Sequence, residues 1–197
     1  MSDKPLRIAV ILGSDRDGRF GPVVAKWFAE RVREHTGAEP DLIDLKEVGL
    51  PTALPAWGAQ PEADVAAAAE AVRERLRAAD AFAVVTPEYN HSYPASVKNI
   101  IDWHNVEWHA KPVGFVSYGG MAGGLRAVEH LRPVFSEVHA ITVRDTVSFH
   151  NVWSQFDAEG EPTEPEGCNT AAKLMIDRLQ WWGQALQEAR AKTPYTV

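Results

Sequence analysis

Ala83-Val84-Val85-Thr86-Pro87-Glu88-Tyr89-Asn90-His91-Ser92-Tyr93-Pro94 is the stretch on which the reading of this chain turns. An apolar strand stops at Pro87, and a loop of aromatic and hydrogen-bonding groups follows. Pro94 then leads into the amphipathic run Ser96-Val97-Lys98-Asn99-Ile100-Ile101-Asp102-Trp103. A loop between the carboxyl end of a buried strand and a helix is where open α/β sheets place their ligands. Tyr89 and Tyr93 offer stacking surfaces, and Asn90 and Ser92 offer hydrogen bonds. The plainer alternative is that both tyrosines are packing aromatics and that Lys98 and Asp102, four residues apart, form a surface pair.

Outward from this stretch, strand-like and helix-like segments alternate. Leu6 to Leu12 reads as a first strand and Pro22 to His35 as a helix, with Pro22 in the first turn where its missing N–H costs nothing. Glu39 to Leu45 is a weaker strand and Asp64 to Ala79 a helix capped by Asp64. Ala81 to Thr86, Pro112 to Tyr118 and His139 to Phe149 complete the strands. Ser96 to Asn105, Gly123 to Val138 and Thr170 to Ala191 complete the helices. Such alternation indicates parallel βαβ units. Five strands suit a flavodoxin-like sheet of order 2-1-3-4-5, with helices on both faces, better than a closed eight-stranded barrel of about 250 residues. Residues 1–197 read as a single domain of this kind. Two irregular stretches remain, the proline-rich Lys46 to Ala63 with Trp57, and the acidic Asn151 to Asn169. Long loops of this kind are functional covers or loose connections.

Composition narrows the function classes. A net charge of −7 leaves no basic stripe for nucleic-acid phosphates. The single cysteine, Cys168, excludes an intrachain disulfide and fits a reducing compartment. Met1-Ser2-Asp3-Lys4-Pro5 carries no apolar signal core, and no apolar run approaches the ~20 residues of a membrane span. The expectation is a cytoplasmic protein with neither a nucleic-acid nor a membrane partner.

In a sheet of that order the loops after strands 1, 3 and 4 meet at one edge. The first, Gly13 to Pro22, ends on a helix start, whose free N–H groups and dipole favour an anion. Ser14 adds a hydroxyl, Arg16 and Arg19 add guanidinium forks matched to phosphate, and Gly18 and Gly21 permit close approach. The segment reads as a monophosphate nest or, more plainly, as a turn with two solvated arginines. It has neither the Walker Gly-Lys-Ser/Thr nor G-x-G-x-x-G. The third loop, Ser117 to Gly124, has four glycines in eight residues. It could lie flat against a planar ligand, or it could be a flexible connection.

Together these loops resemble those of the NAD(P)H-dependent FMN reductases of flavodoxin-like fold, a family that includes chromate, quinone and azo-dye reductases. The matching residues are Gly13-Ser14-x-Arg16-x-x-Arg19, then Pro87-Glu88-Tyr89-Asn90-x-Ser92-x-Pro94 with Lys98-Asn99-x-x-Asp102-Trp103, then Ser117-x-Gly119-Gly120-x-x-Gly123-Gly124-x-Arg126. The resemblance implies that Ser14, Arg16, Arg19, Phe20 and Gly21 surround the FMN phosphate. It implies that Pro87, Glu88, Tyr89 and Asn90 line the isoalloxazine, and that Ser117, Tyr118, Gly119 and Gly120 close its other side. It further implies a ping-pong cycle, with hydride passing from NADPH or NADH to flavin N5 and then to a quinone, free flavin or similar small acceptor. The chemistry is then flavin-borne, with no catalytic side chain required. A homodimer or homotetramer is the expected assembly, with Trp103, Val106 and Trp108 available for the contact. The rivals are an FMN-binding electron carrier or redox sensor with little nicotinamide turnover, and a phosphosugar or nucleotide-binding domain without flavin.

Other singular residues read more plainly. His104 and His109 are five apart and do not share a helical face, so no metal site is expected. His150 reads as a polar loop residue, Cys168 as a loop cysteine, and Trp181 and Trp182 as packing aromatics. Either Trp57 or the 151–169 loop could cover the ligand.

Overall fold

The computed structural model describes residues 6–196. The segment Met1-Ser2-Asp3-Lys4-Pro5, read above for a signal core, lies outside the described residues. Five parallel strands form one sheet in the order β2-β1-β3-β4-β5. They are β1 (Ile8–Leu12), β2 (Asp41–Asp44), β3 (Ala81–Pro87), β4 (Pro112–Tyr118) and β5 (Ile141–Phe149). The helices are α1 (Gly21–Thr36), α2 (Leu45–Val48), α3 (Ala63–Ala78), α4 (Ala95–Trp103), α5 (Leu125–Glu137) and α6 (Pro165–Lys192).

β1, β3 and β4 are buried along their whole length, which is why they read as unbroken apolar runs. Alternate residues of a strand face opposite sides, so the sheet carries two cores. Val10, Leu12, Ala83 and Val85 pack with Trp27 and Phe28 of α1 and Met175, Ile176 and Leu179 of α6. Ala9, Ile11, Phe82 and Val84 pack with Leu76 of α3, Ile100 and Ile101 of α4, and Leu131 and Phe135 of α5.

The expected sheet order and handover from strand to helix are those observed. The differences lie at boundaries and caps: Asp64, expected as the cap of α3, stands inside its first turn and no side chain caps that helix, while Leu45–Val48, expected as a strand end and the start of an irregular stretch, is a short helix capped by Asp44. α6 starts at Pro165, not Thr170, because Pro165 takes a first-turn position where no N–H is needed. Cys168, read as a loop cysteine, is therefore a half-buried residue in the opening turns of α6, with its thiol directed at the Pro165 carbonyl, 3.3 Å away. α5 starts at Leu125, because Gly123 and Gly124 both hold positive φ and cannot continue a right-handed helix. Trp108 is not available for subunit contact. A single 3₁₀ turn, Val106–Trp108, folds the indole inward between Phe82 and Phe135, with no exposed surface, and turns Val106 outward instead.

Candidate functional site

β1, β3 and β4 lie in register, with Leu12 beside Val85 and Pro87 beside Tyr118, so the loops that follow open at one edge. The first loop is fastened to its neighbours by the Gly13 N–H, which donates to the Val85 carbonyl at 2.8 Å, and by the Ser96 hydroxyl, which donates to the Gly13 carbonyl at 2.6 Å. It delivers the chain into α1 through Phe20. No side chain caps that helix, and no acidic residue stands in its first turn. Pro22 brings no N–H and the Val23 N–H donates to the Phe20 carbonyl at 3.1 Å, so what the start of this sixteen-residue helix offers an anion is the positive end of its dipole, with no carboxylate of its own set against it.

Ser14 is fully buried, and its Oγ shares a 2.6 Å hydrogen bond with the Tyr89 hydroxyl, joining the first loop to the second. Arg19 donates to both carboxylate oxygens of Asp44, at 2.7 and 2.5 Å, and to the Ser14 carbonyl. The Asp44 bonds hold its guanidinium more firmly protonated than usual. Arg16 is exposed and makes no ion pair among the described residues. The two arginines of the sequence motif are therefore unlike: Arg19 is spent on ordering the loop, and Arg16 is free.

The second loop is a tight turn. Tyr89 and Ser92 exchange backbone hydrogen bonds at 2.8 and 3.1 Å around Asn90 (φ 49°) and His91 (φ 75°). Positive φ at both central positions is type I′ geometry, for which Asn-Gly is the favoured pair. His91 bears the strain of the second position while its Nδ1 accepts from Arg126 at 3.0 Å. Arg126 also pairs with Glu88 at 2.5 Å, tying the second loop to the start of α5.

The third loop is held from β5. Ser117 Oγ and Ser148 Oγ both donate to the Gly123 carbonyl at 2.8 Å, and His150 Nδ1 donates to the Met121 carbonyl at 2.8 Å. Tyr118 reaches from this loop back to the first. Its hydroxyl lies 2.6 Å from where a side chain on Gly21 would begin, so Gly21 is glycine because Tyr118 occupies its space. The Tyr118 hydroxyl is buried without a hydrogen-bond partner, and burial, reinforced by Tyr89, raises its pKa and keeps it protonated.

Between the three loops lies a cleft of about 330 Å³. Ser14, Arg16, Arg19, Phe20, Pro87, Glu88, Tyr89, Tyr118, Gly119 and Gly120 line it. Three residues expected there do not. Gly21 lies behind Tyr118, Ser117 is turned to the Gly123 carbonyl, and Asn90 stands exposed at the tip of its turn. Gly18, expected to permit close approach, lines it too, and Asp17, Val152 and Trp153 line it without having been singled out. Asp17 and Gly18 were legible as members of the first loop. Val152 and Trp153 belong to the 151–169 segment that could cover the ligand, but which of its residues reach this edge is decided by folding. Trp57 lines a different cavity with Asp102 and Trp103, and so covers nothing here.

A family model described as NADPH-dependent FMN reductase matches residues 6–154. A probable NADPH:quinone oxidoreductase 2 of Oryza sativa subsp. japonica is 31% identical over 205 residues, spanning 100% of this chain and 98% of the relative. A quinone reductase of Escherichia coli (strain K12) is 33% identical over 150 residues, 73% of this chain and 76% of the relative. Among solved structures, the flavoenzyme NAD(P)H:(acceptor) oxidoreductase FerB from Paracoccus denitrificans superposes with a TM-score of 0.70 at 22% identity, over 91% of this chain and 98% of that one. That last likeness speaks to the fold.

Proposed function

The chain belongs to the NADPH-dependent FMN reductase family, and from that premise we propose how its own residues hold the cofactor and serve the reaction. The observation that carries the reading is the convergence of an uncapped helix start, an unpaired arginine, two tyrosines and a glycine pair on one cleft. These features fit FMN. The start of α1 with Ser14, Arg16 and Phe20 suits its phosphate, and Gly21, behind Tyr118, serves that end by leaving the Tyr118 hydroxyl its space. Arg19 serves that end by fixing the Ser14 carbonyl. Pro87, Glu88 and Tyr89 supply one side of the ring site, and Asn90 forms the turn that sets Tyr89 in place. Tyr118, Gly119 and Gly120 supply the other, where glycine lets peptide N–H groups approach a polar ring edge, and Ser117 anchors their loop through the Gly123 carbonyl.

Held there, FMN would supply two-electron redox chemistry between NADPH or NADH and a quinone, free flavin or similar acceptor. The protein's part is to orient both substrates over one cleft and to present peptide dipoles where negative charge collects. No side chain is assigned as nucleophile or general base.

We further propose that residues 1–197 act as one FMN-binding unit and assemble as a homodimer or homotetramer. Support comes from a second cavity of about 590 Å³ beside α3 and α4, with Trp57 and Leu54 exposed on its wall. None of the described helices is long and apolar enough to cross a membrane. A single cysteine fits a reducing, cytoplasmic setting.

The test is direct. Purified protein, or apoprotein reconstituted with FMN, should be yellow and should oxidise NADPH or NADH when a quinone or free flavin is supplied. A protein that stays colourless after reconstitution would sink the reading. A yellow protein with negligible nicotinamide turnover would make it an electron carrier instead.

A further inference from the structure

Trp153 stands in the 3₁₀ turn Val152–Ser154, just after β5. Its neighbours turn inward: Val152 is 1% exposed, and Phe156 packs on Phe149, Phe20 and Trp27. Trp153 itself is 70% exposed. An indole left in water beside a built core forgoes the burial its neighbours obtain, and a large exposed aromatic in a cleft marks a surface meant for a ligand.

Three exposed indoles distinguish themselves by place. Trp57 belongs to the cavity beside α3 and α4, and Trp181 packs edge-on against Trp182 on α6. Trp153 alone lines the cleft shared by Ser14, Tyr89 and Tyr118. Its backbone is not free to wander. Asn151, at φ 50°, turns the chain, its N–H donates to the Gly120 carbonyl at 2.9 Å, and the Val152 N–H donates to the Gly119 carbonyl at 3.0 Å. The indole therefore rides on the glycine pair, and its ring passes 4.0 Å from the point where a Gly120 side chain would begin. A fixed stem with an unpacked ring is a wall that can swing on its own χ angles while the backbone stays in place.

We propose that Trp153 is the fourth wall of the cofactor cleft, packing against the bound flavin and limiting the size of the acceptor that enters beside it. This rests on the FMN reading above. A flat indole is suited to a flat heterocycle by area and by ring electrostatics, and it brings little conformational entropy to lose.

Apoprotein carrying wild-type Trp153, Trp153→Phe or Trp153→Ala is titrated with FMN, following flavin fluorescence, and the melting temperature of each apoprotein is recorded. The alanine variant should bind FMN roughly three- to tenfold more weakly, the scale of one aromatic contact. Its bound flavin should be brighter, since a quenching ring is gone. Phenylalanine should restore most of the affinity, and the apoprotein melting temperatures should agree, because the ring is exposed. In turnover, kcat/KM for a bulky quinone should rise relative to a small one in the alanine variant. Wild-type affinity and wild-type fluorescence in Trp153→Ala would overturn the proposal. So would a loss of affinity that tracks a fallen apoprotein melting temperature and is not rescued by phenylalanine. If wild-type apoprotein takes up no FMN, the flavin reading itself fails and takes this one with it; if it binds and the variants match it, only the role of Trp153 fails.

Discussion

Arg16 and Arg19 stand three residues apart in one loop, and as letters they are equivalent. Folding separates them, because Asp44 at the end of β2 lies within reach of Arg19 and accepts two hydrogen bonds from it. Arg16 keeps its charge for a ligand. His104 shows the same dependence on surroundings. Both its ring nitrogens are buried without a partner, and burial holds its pKa down at about 4, while Glu107 and Glu70 pull upward and Arg73 and Arg77 downward. The unfolded chain takes up this proton near pH 6.5 and the folded protein only near pH 4. Between those values the unfolded state binds more protons, so stability rises with pH across this window and is lost as pH falls from 6.5 to about 4. Urea denaturation at pH 7 and pH 5 should show a smaller drop for His104→Phe than for wild type. An equal drop in both would mean that His104 titrates normally.

The loops act as linked elements. The second and third do not merely face each other across the cleft: Arg126 at the start of α5 bonds Glu88 and His91 of the second loop. Glu88 is nearly buried, so removing the guanidinium leaves its carboxylate with only the residue-126 N–H at 3.3 Å, at a cost above that of an exposed surface pair. Arg126→Ala should lower unfolding stability by about 1–2 kcal/mol and weaken FMN binding, and Arg126→Ala combined with Glu88→Gln should recover part of the stability. Chemical denaturation and FMN titration of the three proteins check this. Unchanged stability in the single variant would show that the tie carries nothing. Elements also account for where sequence reading strayed. Strand and helix interiors were legible because apolar periodicity is repeated over many residues, as in Ala81–Pro87 and Ala63–Ala78. The starts of α5 and α6 were not, because they depend on two left-handed glycines and on one proline in a first turn.

At the scale of the whole molecule, one edge of the sheet carries the cleft between the three loops, and a second cavity lies beside α3 and α4 with exposed Trp57 and Leu54. Val106, also exposed, lies just past the end of α4. Apolar surface of this kind suits contact with another copy of the chain. Light scattering after gel filtration should give a mass two or four times 21.7 kDa, and Trp57→Glu should shift it toward one. A monomeric wild type at micromolar concentration would remove the assembly from the reading.

The sheet order, the two-core layering and the gathering of three loops at one sheet edge were set by the sequence alone. They follow from local rules, apolar runs that cannot remain in water and glycines or prolines that end them, and such rules are written in consecutive residues. Which arginine is free, why residue 21 has no side chain, and that Trp153 reaches the cleft while Trp108 is lost to the core were decided only by tertiary structure. Each depends on a neighbour distant in the chain — Asp44, Tyr118, the Gly119-Gly120 pair, Phe82 with Phe135 — whose approach no local pattern encodes.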